Sequence, residues 1–260
     1  MRWQPDCSAQ DGAEPVAHRY SGYVLPPLSY ATVRDFCDSL DHLGTLATLS
    51  GDLKDVQRPW TVKAILGGTP RGGRLIEIGA GQPFVADFLV KLGYEVTVVD
   101  PYDGSGNGPL EYEHFRATYP NVRFIRDVFS DQTPGLVPAA YDAVYSISVL
   151  EHVPIAGLAG VCAGIRRFLA PGRGRTIHAV DHVLKGMHDQ YHAEHLGALI
   201  EGLGLSPAAL ASTLEAAGDD VDTYFLSAES HNRWRGTTPY DQFPMRRVIS
   251  VHVCLPPTAG

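Results

Sequence analysis

The chain has 260 residues, within the reach of one α/β domain carrying attached lid elements. Hydrophobic residues make up 44%, enough for a full core and too many for a disordered chain. The net charge of −8 lacks the basic balance of a nucleic-acid backbone binder.

Cys7, Cys37, Cys162 and Cys254 form no C-x-x-C pair, which points to reduced thiols and a cytoplasmic setting. The polar start "MRWQPDCSAQDGAEP" has no secretory apolar segment, and no apolar run approaches the ~18 residues of a membrane span, so no membrane partner is expected. Residues 1–20 read as an acidic lead-in, and "YSGYVLPPLSY" adds Tyr20, Tyr23 and Tyr30 in an extended aromatic segment. Val33, Phe36, Leu40 and Leu43 are spaced for a helix. In "PWTVKAILGG", Pro59 suits a helix start and Gly67–Gly68 its stop.

From residue 73 strands and helices alternate. Strands are expected at 74–78, 95–99, 122–126, 141–148 and 175–181, with helices at 83–92, 109–118 and 156–169 between them. This rhythm predicts a doubly wound α/β fold with a mostly parallel sheet and right-handed crossovers. Helices at 189–202 and 206–217 follow, and 221–229 and 246–254 read as two antiparallel strands. The expected division is an N-terminal extension or lid at 1–70 and a sheet domain at 71–260.

The stretch "RLIEIGAGQPFVADFL" holds the strongest chemical signal. Leu75, Ile76 and Ile78 read as a strand buried on both faces, where Glu77 is costly without a partner. Gly79 and Gly81, flanking Ala80, let the backbone turn tightly and approach a ligand. Pro83 then suits a helix start, whose amides face the loop. Phe84 stands where a dinucleotide fingerprint wants a small residue, which weakens the nicotinamide reading. Asp100 closes the next strand about 20 residues on, the distance at which an acid grips ribose hydroxyls in nucleotide-binding α/β folds.

In order, "LIEIGAGQP", "VTVVD", "FIRDVF", "YDAVYSISVLEHV" and the Pro-Gly turn of "FLAPGRGRTIHAV" resemble class I S-adenosylmethionine-dependent methyltransferases over about residues 70–255. The resemblance implies a seven-stranded Rossmann-like sheet with an antiparallel last strand, and S-adenosyl-L-methionine as cofactor. It implies that Glu77 holds the methionine end above the Gly79–Ala80–Gly81 backbone and that Asp100 takes the ribose hydroxyls. Asp127 would reach the adenine amino group with Val128 beside the ring, and Ser148 would line the methionine part. Pro83 departs from the family, many members of which carry a third glycine there.

Methyl transfer is mostly alignment, but an oxygen or nitrogen acceptor also needs a base near neutrality. His152 and His182 follow the fourth and fifth predicted parallel strands and are the candidates, His182 favoured. His188, His192 and His195 share a helix face with metal-compatible spacing, yet no matching carboxylate set accompanies them, so no metal is expected. Tyr20 and Tyr23, with His231, Trp234, Arg235 and Tyr240 of the late loop, are the candidate acceptor contacts. The same aromatic segments also suit packing or a homodimer contact. The reading is a methyltransferase acting on O or N of a small molecule, natural-product or sugar-like. Its rivals are a nicotinamide-dependent oxidoreductase and a non-catalytic cofactor-binding assembly protein.

Overall fold

The computed structural model describes residues 13–105, 108–186, 188–235 and 247–257. Its centre is one sheet built from β1 (Leu28–Tyr30), β2 (Arg74–Ile78), β3 (Glu95–Val99), β4 (Arg123–Ile125), β5 (Ala143–Ile147), β6 (Arg175–Val183) and β7 (Val248–Leu255). The strand order is β1-β7-β6-β5-β2-β3-β4. β2 to β6 run parallel, and β7 runs antiparallel to both β6 and β1. The sheet is the expected seven-stranded, mostly parallel one, with its last strand reversed.

Helices cover both faces, as a parallel sheet requires. On one face lie α3 (Lys54–Gly68), α4 (Phe84–Lys91) and α5 (Tyr112–Thr118). They pack Trp60, Ile65, Leu89 and Phe115 against Leu75, Val98, Tyr145 and Ile177. On the other lie α6 (Ile155–Phe168), α7 (Asp189–Gly202) and α8 (Pro207–Asp219), packing Ile165, Leu199 and Leu210 against Ile76, Val144 and Val180. Each large aliphatic side chain so buried contributes ~1.5–3 kcal/mol.

The N-terminal segment joins this architecture. α1 (Ala13–Tyr20) and α2 (Val33–Leu43) pack on α3. The first turn of α2 is fixed by a reciprocal cap, Asp35 N–H donating to Thr32 Oγ1 at 3.1 Å and Thr32 N–H to Asp35 Oδ2 at 3.0 Å. Pro59 lies inside α3 and not at its start, which is Lys54.

The expected strand at 221–229 does not form. Its residues make two isolated bridges, Thr32 with Thr223 and Phe225 with Ile249, and the chain then enters α9 (Ala228–Arg235). The place beside β7 is taken by β1, which pairs Leu28 with Val253 and Tyr30 with Val251. β7 also pairs with β6 over eight register positions, from Thr176–Leu255 to Val183–Val248.

Candidate active site

The chain reverses its winding between β2 and β5, since β2 leads outward to β3 and β4 and the return lands on β2's other side. Open α/β sheets bind ligands at this switch point, beyond the strands' C-terminal ends. Glu77 and Tyr145 are register partners across it, and the Tyr145 hydroxyl donates to Glu77 Oε2 at 2.9 Å. Glu77 is buried, and burial first, with Asp100 adding to it, lifts its carboxyl to about 7 against the pull of Tyr145 and Arg58. Arg58 of α3 faces Asp52, Asp55 and Glu77, and its guanidinium lies 5.1 Å from the Phe84 ring centre. Neither Arg58 nor Tyr145 was legible as a site residue, because both join Glu77 only through tertiary packing.

Gly79 and Gly81 adopt φ of +63° and +55°, conformations that side chains disfavour. A Cβ on Gly79 would stand 2.5 Å from Val149 Cγ1. Asp100 ties this loop to β3: its Oδ2 accepts from Gly81 N–H at 3.0 Å and its Oδ1 from Tyr102 N–H at 2.8 Å. The Tyr102 hydroxyl closes the ring by donating to the Gly81 carbonyl at 3.0 Å. Ser148, at φ +54°, donates its N–H to the Ala179 carbonyl at 2.8 Å. Asp127 lies just past β4, its Oδ1 accepting from Val128 N–H at 2.7 Å, while Val128 is exposed. Glu77, Gly79, Ala80, Gly81, Asp100, Asp127, Val128 and Ser148 thus share the C-terminal edge of four neighbouring parallel strands.

The histidines are placed differently from one another. His152 is exposed in a short turn, Leu150–His152, after β5. His182 is 2% exposed on β6, its ring 6.3 Å from that of His192 on α7. Burial, then His192, pushes His182 down to about 4, so the near-neutral titration expected of it is not what this environment gives. His178 and His252 in the sheet are lowered to about 3 for the same reason, burial. His195 is buried with Nε2 2.7 Å from the Val153 carbonyl. Among the described residues no group of three or more ligand-type side chains could hold a metal ion.

The acceptor candidates divide. Tyr20 is buried and donates to Asp38 Oδ2 at 2.8 Å, which makes it a packing residue. The Tyr23 carbonyl lies against Gly67, at the end of α3 that meets the start of β2, so Tyr23 sits at the opposite edge of the sheet from the glycine loop. A cavity of about 540 Å³ at that far edge is lined by residues including His18, Arg71, Tyr94 and Arg175. The aromatic segment therefore does not lie beside the glycine loop, because sequence does not say which end of a helix a preceding loop meets. His231, Trp234 and Arg235 lie on α9, His231 buried. α9 is tied to the start of α3 by Ser230 Oγ donating to Asp52 Oδ2 at 3.0 Å and by Ser227 N–H donating to the Gly51 carbonyl at 2.9 Å. Tyr240 lies outside the described residues.

Among the described residues no helix is long and apolar enough to cross a membrane. No family model matches the sequence, and no curated protein is similar to it. Solved structures resemble it distantly. A protein of Pyrococcus horikoshii OT3 is 24% identical with a TM-score of 0.35, covering 43% of this chain and 50% of its own. A geranyl diphosphate C-methyltransferase from Streptomyces coelicolor A3(2), solved with magnesium, geranyl diphosphate and S-adenosyl-L-homocysteine, is 14% identical with a TM-score of 0.49, covering 98% and 100%. A Haemonchus contortus phosphoethanolamine N-methyltransferase 2 is 16% identical with a TM-score of 0.48, covering 88% and 61%. The chain therefore spans half the length of the Pyrococcus protein and all of the Streptomyces one. Likenesses this distant add nothing to what the chain's own geometry says about function.

Proposed function

We propose that the chain is an S-adenosylmethionine-dependent methyltransferase acting on oxygen or nitrogen of a small molecule. The observation that carries this reading is a buried carboxyl, Glu77, beside a left-handed glycine turn at the sheet's switch point. The residues present fit the cofactor. The Cβ position of Gly81 has only Pro109 near it, at 3.7 Å, so a ligand can approach the backbone there, and Glu77 and Arg58 offer opposite charges for an amino acid's two ends. Asp100, Asp127 and Val128 extend the surface along the strand ends toward a nucleoside. Phe84, 42% exposed at the head of α4, leaves no close helix–loop packing of the dinucleotide type.

When bound, the cofactor supplies an activated methyl group, so the protein's contribution is alignment. Residues 71–260 hold the cofactor edge of the sheet, and residues 1–70 contribute α3, whose first turns face the acceptor side. α9, pinned to Asp52, covers the same side. Of the two histidines, exposed His152 is the one an acceptor reaches as a base. Incubation with methyl-labelled cofactor and a panel of small amines and alcohols tests this. Label should enter at least one acceptor, and entry into none while the protein hydrolyses or reduces panel members would sink the reading.

A further inference from the structure

The C-terminal ends of β5 and β6 hold a second group of buried polar residues that cofactor binding does not use. Glu151, just past Ser148, is 6% exposed. Its Oε1 accepts from the Asp181 backbone N–H at 3.3 Å, while its Oε2 is buried with no hydrogen-bond partner. Half-buried Asp181 accepts at Oδ1 from Gln57 Nε2 at 2.7 Å. Gln57, fully buried on α3, spends its other N–H on Ser250 Oγ at 3.1 Å, and its Oε1 is also without a partner. Among the described residues neither carboxyl has an ion-pair partner, and no cation acts on Glu151 as the charge of Arg58 acts on Glu77. Burial first, then the charge of Asp181, pushes the Glu151 carboxyl well up from its ordinary value, against the Ser148 hydroxyl and nearby backbone amides.

The inventory is lopsided. Two buried oxygens lack donors, a second carboxyl stands beside them, and no cation compensates. Leaving acceptors unsatisfied in a dry site is costly, so the complement is a group rich in N–H donors and positively charged. A hydroxyl can give only one donor and no charge, whereas an ammonium group gives up to three donors with one. We infer that Glu151, Asp181 and Gln57 form a binding subsite for a protonated primary or secondary amine of the acceptor. This rests on the proposed function and narrows the acceptor to a molecule carrying an amine, which binds as the ammonium and must give one proton to Glu151 before its nitrogen lone pair can take the methyl group.

The test uses the full chain and two probes of similar size, ethanolamine and ethylene glycol, titrated by ligand-observed NMR at neutral pH with and without S-adenosylhomocysteine. Ethanolamine should bind about tenfold or more tightly than ethylene glycol, as a charge-assisted contact implies. Asp181→Asn and Glu151→Gln, two near-isosteric changes, should each bring the two probes to within about threefold. Equal binding of both probes to the wild-type chain, or wild-type discrimination kept in both variants, would overturn the inference. Calorimetry of S-adenosylhomocysteine on the same samples separates the two readings. Unchanged cofactor affinity with no amine preference removes the subsite alone, whereas amine preference without cofactor binding removes the proposed cofactor and leaves the subsite standing.

Discussion

A Cβ on Gly79 would meet Val149 at 2.5 Å while forcing a side chain into φ +63°, so Gly79→Val should abolish cofactor binding. Calorimetry with S-adenosylhomocysteine on a variant with native circular dichroism checks this, and normal affinity would remove the loop from the site. Asp100→Ala acts differently. It removes two charge-assisted bonds, to Gly81 N–H and Tyr102 N–H, each of which contributes ~1.5–3 kcal/mol. The variant should lose at least about 3 kcal/mol of stability in urea and at least about tenfold in cofactor affinity, because the acid shapes the loop proposed to carry the cofactor. Intact stability in that variant would mean that Asp100 does not hold the loop. At this scale the sequence was informative where chemistry and chain order coincide. Glu77, the glycines and Asp100 are separated by one strand-helix-strand unit, whereas Arg58, Tyr145 and Gln57 meet the site from distant segments and carry no local signature. Burial likewise overrode residue type: His182 looked like a neutral-pH base and is instead a core histidine pushed down to about 4.

α3 is tied to α2 by a buried cation. Lys63 is 2% exposed and pairs with Asp38 Oδ2 at 2.6 Å, and Asp38 also accepts from Tyr20. Asp38→Ala would leave the ammonium uncompensated, so the fold should lose ~2–4 kcal/mol, more than a surface pair would cost. A urea midpoint within error of wild type would show that Lys63 finds another partner. Hydrophobic alternation located β2 to β7 and most helices to within a few residues, because a buried parallel sheet writes its pattern locally. It failed at 221–229, where Tyr224, Phe225 and Leu226 resemble a strand. Tyr224 N–H donates to the Ala31 carbonyl and Leu226 N–H to the Val248 carbonyl, but the run is too interrupted to continue the ladder. The edge beside β7 goes to Leu28–Tyr30, a three-residue strand whose pairing is a competition between distant segments and so is invisible to periodicity.

Among the described residues Glu77, at about 7, and Glu151 are buried acids raised strongly, and buried Asp100 is raised less, all chiefly by burial. The folded state binds these protons more tightly than the unfolded chain does. Their stabilising contribution is therefore fully present below the ordinary carboxylate range and is lost as pH rises through neutrality. Glu77 alone should account for roughly 2–3 kcal/mol between pH 5 and 8.5. Glu151→Gln should flatten the upper part of the curve, and a Tm that rises over this interval would contradict the burial of both groups. We propose that the switch-point edge binds S-adenosylmethionine and not a nicotinamide cofactor. Isothermal calorimetry of the wild-type chain with S-adenosylhomocysteine and with NAD tests it most directly. The first should bind saturably and one-to-one, with binding lost in Gly79→Val, and the second should give no heat. Saturable NAD binding with no response to S-adenosylhomocysteine would contradict it.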